Sequence, residues 1–125
     1  MVDDFSMFLE NLCEYLARQP LIRVVGTAKD AAEALEKAKA LHPDLVLMDV
    51  NLPQVEGTEA ATILRSHLPQ VRVILMSLED SARIRKLARQ HGAHGFVGKG
   101  SITSDLLKEI RRVFQVKDEN EKGGP

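Results

Sequence analysis

The chain of 125 residues has little of several features that would place it in a special class of protein. Its one cysteine, Cys13, cannot form an internal disulfide, which excludes a small disulfide-stabilised secreted scaffold. The longest apolar runs have about five residues, far fewer than the ~20 that cross a bilayer, and no signal-peptide pattern opens the chain. We therefore expect a soluble, cytoplasmic domain with no membrane contact.

The chain also lacks a charge of one dominant sign. Seventeen basic and eighteen acidic residues leave a net charge of −1, so no general basic field favours direct binding to nucleic acid. With 44% apolar residues and this length, the chain can bury the core of one domain. We place that domain at 1–116 and expect the charged segment 117–125 to be a disordered tail.

Apolar residues recur at alternating helical and strand-like spacings. Helical patterns cover about 5–19, 31–41, 60–68, 81–90 and 106–114, and short apolar or β-branched runs at 21–27, 45–49, 72–76 and 95–97 indicate strands. This alternation predicts an α/β fold with a parallel sheet and helices on both faces. Ligands of such folds bind beyond the carboxyl ends of the strands.

Polar residues stand at those strand ends. Asp49 closes one predicted strand, Ser77 follows the next, Lys99 follows the last, and the pair Asp3-Asp4 precedes the first helix. A parallel sheet brings such turns together along one edge, so three carboxylates, a hydroxyl and an ammonium would share a crevice.

The charges of this set indicate a chemistry. Three adjacent carboxylates repel one another, so the site favours a hard divalent cation, and a set of oxygen ligands suits Mg²⁺. A carboxylate can attack phosphorus to give an acyl phosphate. The cation and a lysine would neutralise the phosphoryl oxygens while a serine hydroxyl donates to one of them.

Four segments carry a family resemblance. They read VDD at 2–4, LVLMDVNLPQVEG at 45–57, VILMS at 73–77 and GFVGK at 95–99. In this order and over about 115 residues, they resemble a response-regulator receiver domain of two-component signalling, of the kind that precedes helix-turn-helix output domains. The resemblance implies a flavodoxin-like (CheY-like) doubly wound sheet with strand order 2-1-3-4-5.

The resemblance also implies roles for single residues. Asp49 would accept the phosphoryl group from a histidine kinase or phosphotransfer protein, so the chain would be a switch and not an enzyme. Asp4 and Asp49 would ligate Mg²⁺ directly, Asp3 would act through water, and Asn51 would contribute its backbone carbonyl. Gly57 would belong to the loop that follows the phospho-acceptor.

Two further residues would form the switch that the resemblance implies. Ser77 and Lys99 would hold the phosphoryl oxygens, Ser77 would shift towards the phosphoryl group, and Phe96 would turn inward behind it. The surface that changes would be that of the family's fourth helix, fifth strand and fifth helix, here 81–90, 95–97 and the final helix. Receivers meet partners or dimerise there.

Each of these residues also has a purely structural interpretation. Asp49 is compatible with a loop acid at a strand end, Ser77 with a turn residue, and Phe96 with a core aromatic. Asp3 and Asp4 are compatible with the capping acids of the first helix. The basic residues of the last two helices are compatible with a solvated face.

The sequence departs from the family pattern at its start. Receivers carry a buried first strand of five or six apolar residues, whereas Met1 and Val2 alone precede Asp3 here. Three explanations are open: the chain is cut from a longer one, a partner chain donates the strand in a homodimer or domain-swapped dimer, or the neighbouring strands pair directly and move Asp3 and Asp4 off the site. A displaced acidic pair would favour a phosphorylation-independent interaction or dimerisation module.

Overall fold

The computed structural model describes residues 1–123, with side chains described through residue 115. Within these residues the structure has five α-helices and three strands, which alternate from the second helix onward, in keeping with the α/β fold that the sequence predicts. The helices are α1 Ser6–Ala17, α2 Ala31–Leu41, α3 Gly57–His67, α4 Ala82–Gln90 and α5 Ile102–Gly123, and the strands are β1 Leu45–Asp49, β2 Arg72–Ser77 and β3 Gly95–Gly98.

The three strands form a parallel sheet in the order β1-β2-β3. Because the side chains of a strand alternate between faces, each face of the sheet carries its own core. Met48, Val73 and Leu75 pack towards α2, α3 and α4 on one face, and Ile74 and Met76 pack towards α1 and α5 on the other. Strands covered on both faces explain the continuous apolar runs of the sequence.

Local signals set the ends of two helices. Asp30 caps α2 by accepting a hydrogen bond from the backbone N–H of Glu33 at 2.8 Å. Gly92 follows α4 with φ +83°, a left-handed conformation that favours glycine. Both residues are predicted from the sequence as helix boundaries.

The last helix extends beyond the predicted end of the domain at residue 116. Helical backbone continues to Gly123, and residues 124–125 of the predicted tail lie outside the described residues. The assignment of 117–125 as a disordered tail stays a prediction. Among the described residues, no helix is both long and apolar enough to cross a membrane.

The prediction of a strand at 21–27 is wrong. That segment has no ladder partner, because the strand that would lie beside it is reduced to Val2, which makes single parallel bridges to Ala28 on one side and Met48 on the other. A strand needs partners for its backbone groups, so β propensity alone does not form one. The five-strand order 2-1-3-4-5 is therefore not confirmed.

Beside Val2, where the resemblance implies a first strand, the molecule has a groove of about 520 Å³. It is lined by the segment 21–28 and by β1, and its lining also includes Leu16, Ala34 and Phe114. The explanation in which the neighbouring strands pair directly is wrong, because β1 and the segment 21–28 stay apart with Val2 between them. A longer parent chain and a donated strand both stay open.

Candidate functional site

Three carboxylates meet at the carboxyl end of the sheet. Asp3, Asp4 and Asp49 each offer an oxygen, and these oxygens lie within 4.8 Å of one another. Asp3 and Asp49 are buried, whereas Asp4 is exposed. The two short bridges of Val2 hold this arrangement, since they fix the backbone immediately before Asp3 beside the end of β1.

The interpretation of Asp3 and Asp4 as capping acids of α1 is wrong. The residue that precedes α1 is Phe5, and the first turn of the helix contains no acidic residue. Asp3 Oδ1 accepts a hydrogen bond from the Phe5 backbone N–H at 3.0 Å, which fixes the turn into the helix. Its other oxygen, Oδ2, faces the site.

Lys99 completes the charge arrangement from the turn after β3. Its Nζ lies 2.7 Å from Asp3 Oδ2 and 3.3 Å from Asp49 Oδ2, and 9% of its side chain is exposed. An ammonium has three donors and no acceptor, so it suits the space between two buried carboxylates. Three carboxylates and one ammonium leave a net formal charge of −2 at the site.

Asp49 keeps an oxygen without a partner. Oδ1 is buried and has no hydrogen-bond partner among the described residues, although Oδ2 contacts Lys99. Burial, followed by the charge of Asp3, raises the pKa of the Asp49 carboxyl, and the positive charge of Lys99 opposes this rise. A buried acceptor of this kind ordinarily has a partner, so it marks a position for a ligand.

Ser77 and Asn51 stand at neighbouring strand ends. Ser77 closes β2 opposite Gly98 in the ladder, and 1% of the residue is exposed. Its Oγ accepts a hydrogen bond from the backbone N–H of Glu79 at 3.0 Å, which leaves the hydroxyl hydrogen to donate elsewhere. Asn51 is exposed two residues after Asp49.

Phe96 lies inside the molecule. It is 6% exposed, and it packs in the core cluster shared with α3 and α4. The guanidinium of Arg85 covers its ring at 4.9 Å from the centroid and also contacts Asp80 at 2.6 Å. The inward turn of Phe96 on phosphorylation stays a prediction, and the sequence gives no signal for Arg85 as its cover.

Gly57 brings the start of α3 against the end of β1. A Cβ on this residue would lie 2.0 Å from the backbone oxygen of Asp49. The Gly57 N–H donates to the backbone oxygen of Val50 at 2.7 Å. A side chain at this position would push α3 away from the backbone that carries Asp49.

The donor set fits Mg²⁺ by its chemistry. Carboxylate oxygens from three side chains are hard ligands of the kind that Mg²⁺ takes. The unpartnered Asp49 Oδ1 and the exposed Asp4 give the cluster both an inner ligand and an opening to solvent. A cation would offset the net charge of −2.

Comparison with known proteins places the chain in a family. The sequence model of the family described as the response regulator receiver domain matches residues 1–111. The transcriptional regulatory protein MctR of Rhizobium johnstonii is 34% identical over 113 residues, which are 90% of this chain and 53% of that protein. The probable transcriptional regulatory protein NarL of Mycobacterium tuberculosis is 37% identical over 86% of this chain and 50% of its own length. The chain thus spans about half the length of these relatives.

Solved structures agree in fold. The receiver domain of Mycobacterium tuberculosis NarL has a TM-score of 0.79 with 37% identity, and 86% of each chain is covered. The response regulator domain of Thermotoga maritima CheB has a TM-score of 0.80 with 34% identity, over 91% of this chain and 92% of that one. A chain of the CheX–CheY–BeF₃–Mg²⁺ complex from Borrelia burgdorferi has a TM-score of 0.82 with 25% identity, over 90% and 85%. With these alternating elements and this acidic edge, the chain belongs to the response regulator receiver domains of two-component systems.

Proposed function

We propose that this chain is a phospho-acceptor switch, in which Asp49 takes a phosphoryl group from a histidine kinase or phosphotransfer protein. Mg²⁺ would be held by Asp3, Asp4, Asp49 and the backbone carbonyl of Asn51, and it would supply charge neutralisation for the incoming phosphoryl oxygens. The observation that carries the proposal is the buried, unpartnered Oδ1 of Asp49 beside the ammonium of Lys99.

The reaction uses the groups of the site as follows. Asp49 Oδ1 attacks phosphorus, a P–O bond forms, and the P–N bond of the donor phosphohistidine breaks as the imidazole leaves with its electron pair. Lys99 turns from Asp49 Oδ2 to a phosphoryl oxygen, and the Ser77 hydroxyl donates to another. Such catalysis consists mostly of positioning and charge stabilisation.

Support for the cation comes from the donor set and from one relative. The solved CheX–CheY complex of Borrelia burgdorferi contains Mg²⁺ and BeF₃. In this chain, three carboxylate oxygens within 4.8 Å of one another supply hard ligands that suit such a cation.

The output surface of the proposal consists of α4, β3 and α5. Phe96 links this surface to the site, because it lies in β3 three residues before Lys99 and its ring is covered by Arg85 of α4. The surface carries basic residues on both helices, so it suits a partner with acidic groups or a second regulator. The basic residues are Arg83, Arg85, Lys86, Arg89, Lys108, Arg111 and Arg112.

Intact-mass measurement after incubation with acetyl phosphate and Mg²⁺ tests the proposal. We expect the wild-type chain to gain one phosphoryl group, and we expect no gain without Mg²⁺ or in Asp49→Asn. The matched control is Asp44→Asn, which changes an exposed acid just before β1 and should be phosphorylated as the wild type is. An unmodified wild type in the presence of Mg²⁺ would reject the proposal.

A second candidate is a phosphorylation-independent interaction or dimerisation module, and the open groove beside β1 favours it. A strand donated by a partner chain would fill that groove in a domain-swapped dimer. Titration with Mg²⁺ separates the two functions, because the switch requires saturable binding that is weakened in Asp49→Asn, whereas the module requires none. A dimer on size-exclusion chromatography without phosphorylation would support the module.

A further inference from the structure

The Lys99 ammonium has a third neighbour besides its two carboxylates. The ring of Phe8, from the first half of α1, lies 4.6 Å from Lys99 Nζ, measured to the ring centroid. The ring therefore covers a side of the ammonium that water would otherwise solvate, in keeping with a Lys99 side chain that is 9% exposed. A cation over the face of an aromatic ring at this distance is attracted by the quadrupole of the ring.

The position of the Phe8 ring is fixed by packing. Phe8 is half-buried and contacts the core cluster between the sheet, α1 and α5. Leu12 and Leu16 follow it at four and eight residues, on the same face of α1, and both are buried in that cluster. The helix thus presents the ring to Lys99 from a firmly packed face.

We propose that Phe8 is a positioning residue for phosphoryl transfer, which holds the Lys99 ammonium beside Asp49 through the face of its ring. This inference rests on the proposed function. In that reaction Lys99 must release a carboxylate oxygen and turn to a phosphoryl oxygen. A carboxylate directs an N–H donor, whereas a ring face attracts the charge without accepting a directed hydrogen bond from it. Phe8 therefore keeps the ammonium in place while leaving its donors free to turn.

The rate of phosphorylation and the affinity for Mg²⁺ should respond differently to the loss of the Phe8 ring. In Phe8→Leu the apolar contacts of α1 remain but the attraction to the ammonium is lost. Phosphorylation at saturating acetyl phosphate and Mg²⁺ should slow about three- to tenfold, the range expected of a cation–π contact. The Kd for Mg²⁺ should not rise, because a looser ammonium competes less for the Asp3 and Asp49 carboxylates. A general loosening of the fold would instead lower both the phosphorylation rate and the affinity for Mg²⁺.

Two variants serve as controls. Phe8→Tyr keeps the ring face and should phosphorylate within about twofold of the wild type. Phe5→Leu removes a ring from the residue just before α1 that is 59% exposed, and it should leave both quantities unchanged. Thermal unfolding of all variants checks that they are folded.

Nuclear magnetic resonance gives a readout that needs neither Mg²⁺ nor phosphorylation. The protons on Lys99 Cε should be shifted upfield by the ring current of Phe8 in the wild type and in Phe8→Tyr, and this shift should disappear in Phe8→Leu. A wild-type rate in Phe8→Leu, or a parallel loss of rate and Mg²⁺ affinity, would overturn the role of Phe8 but not the proposed function. A wild-type chain that takes no phosphoryl group would overturn the proposed function, whatever the ring-current shift.

Discussion

Lys99 Nζ lies 2.7 Å from Asp3 Oδ2, and this contact joins the turn after β3 to the segment before α1. Both side chains are almost excluded from water, at 9% and 0% exposed. The contact therefore links two segments that are distant in sequence at the point where the proposed chemistry occurs. It also gives the acidic site an internal cation.

Replacement of Lys99 should lower the free energy of unfolding, because the buried carboxylates of the site then have no cation beside them. In Lys99→Met, Asp3 and Asp49 lose their partner, and removal of one member of a buried ion pair destabilises by about 3–5 kcal/mol. Mg²⁺ should restore more stability to this variant than to the wild type, since it binds the folded state at the same carboxylates. Urea denaturation with and without Mg²⁺ measures both effects.

The control for this prediction is Lys86→Met, which changes an exposed lysine on α4. It should alter the free energy of unfolding by less than about 0.5 kcal/mol. An equal loss in the two variants would contradict a special role for the Lys99–Asp3 contact.

Asp49→Asn should stabilise the protein at neutral pH. Burial and then Asp3 raise the pKa of the Asp49 carboxyl in the folded state above 3.8. A group with a raised folded pKa binds its proton more tightly when folded, so its ionisation lowers stability as the pH rises from about 3.8 through the raised pKa. Asparagine carries no charge and removes this loss.

We expect Asp49→Asn to gain roughly 1 kcal/mol at pH 7, which is about 4 °C in Tm for a domain of this size. The gain should shrink as the pH falls through the raised pKa of Asp49, where the wild-type carboxyl becomes protonated. Calorimetry across this range is the measurement, and Asp44→Asn is the exposed control. A gain that is constant with pH would contradict the explanation.

Gly57→Ala should test how tightly α3 approaches β1. The new Cβ would lie 2.0 Å from the Asp49 backbone oxygen, so α3 or the loop must shift. We expect a loss of roughly 2–3 kcal/mol in the free energy of unfolding, as for other overpacked sites. Gly100→Ala is a matched control, because a Cβ there meets nothing within 4 Å. Similar losses in both variants would show that the effect is not one of packing.

The sequence predicts best those elements whose partners are also present. Residues 45–49 and 72–76 are predicted as buried strands, and both become strands with helices on each face. Asp30 is predicted as a helix cap and accepts the expected hydrogen bond from Glu33. In these cases local pattern and tertiary contacts favour the same structure.

The failures have physical causes. The segment 21–27 has strand-like residues but no neighbouring strand of sufficient length, and a local pattern does not report a missing partner. Phe8 is predicted as one more apolar residue of a helix, because nothing in a helical repeat shows that a ring will face an ammonium from a turn 91 residues later. Of the site, the sequence predicts the charged residues but not the aromatic ring that lies beside the ammonium.

The edge of β1 that faces the groove has backbone groups available for strand pairing. Asp44 and Val50 direct backbone groups towards β2, so the alternate residues Leu47 and Asp49 direct theirs towards the groove. Val2 meets these two, with its N–H donating to Leu47 at 2.7 Å and its carbonyl accepting from Asp49 at 2.9 Å. The groove therefore has a strand-pairing edge that continues past the single residue that uses it.

Five residues added before Met1, with valine or isoleucine at the positions that face the two cores, should continue from Val2 as a parallel strand. Burial of their side chains, less the entropy of ordering the added backbone, should raise the free energy of unfolding by roughly 2 kcal/mol. Amide hydrogen exchange should slow at the groove-facing amides of the segment 21–26, because these then gain partners, whereas the Ala28 N–H already donates to the Met1 carbonyl. The control is an extension of five glycine and serine residues, which has the same length but no side chains to bury. Equal stability and exchange in the two extended proteins would show that the groove does not accept a strand.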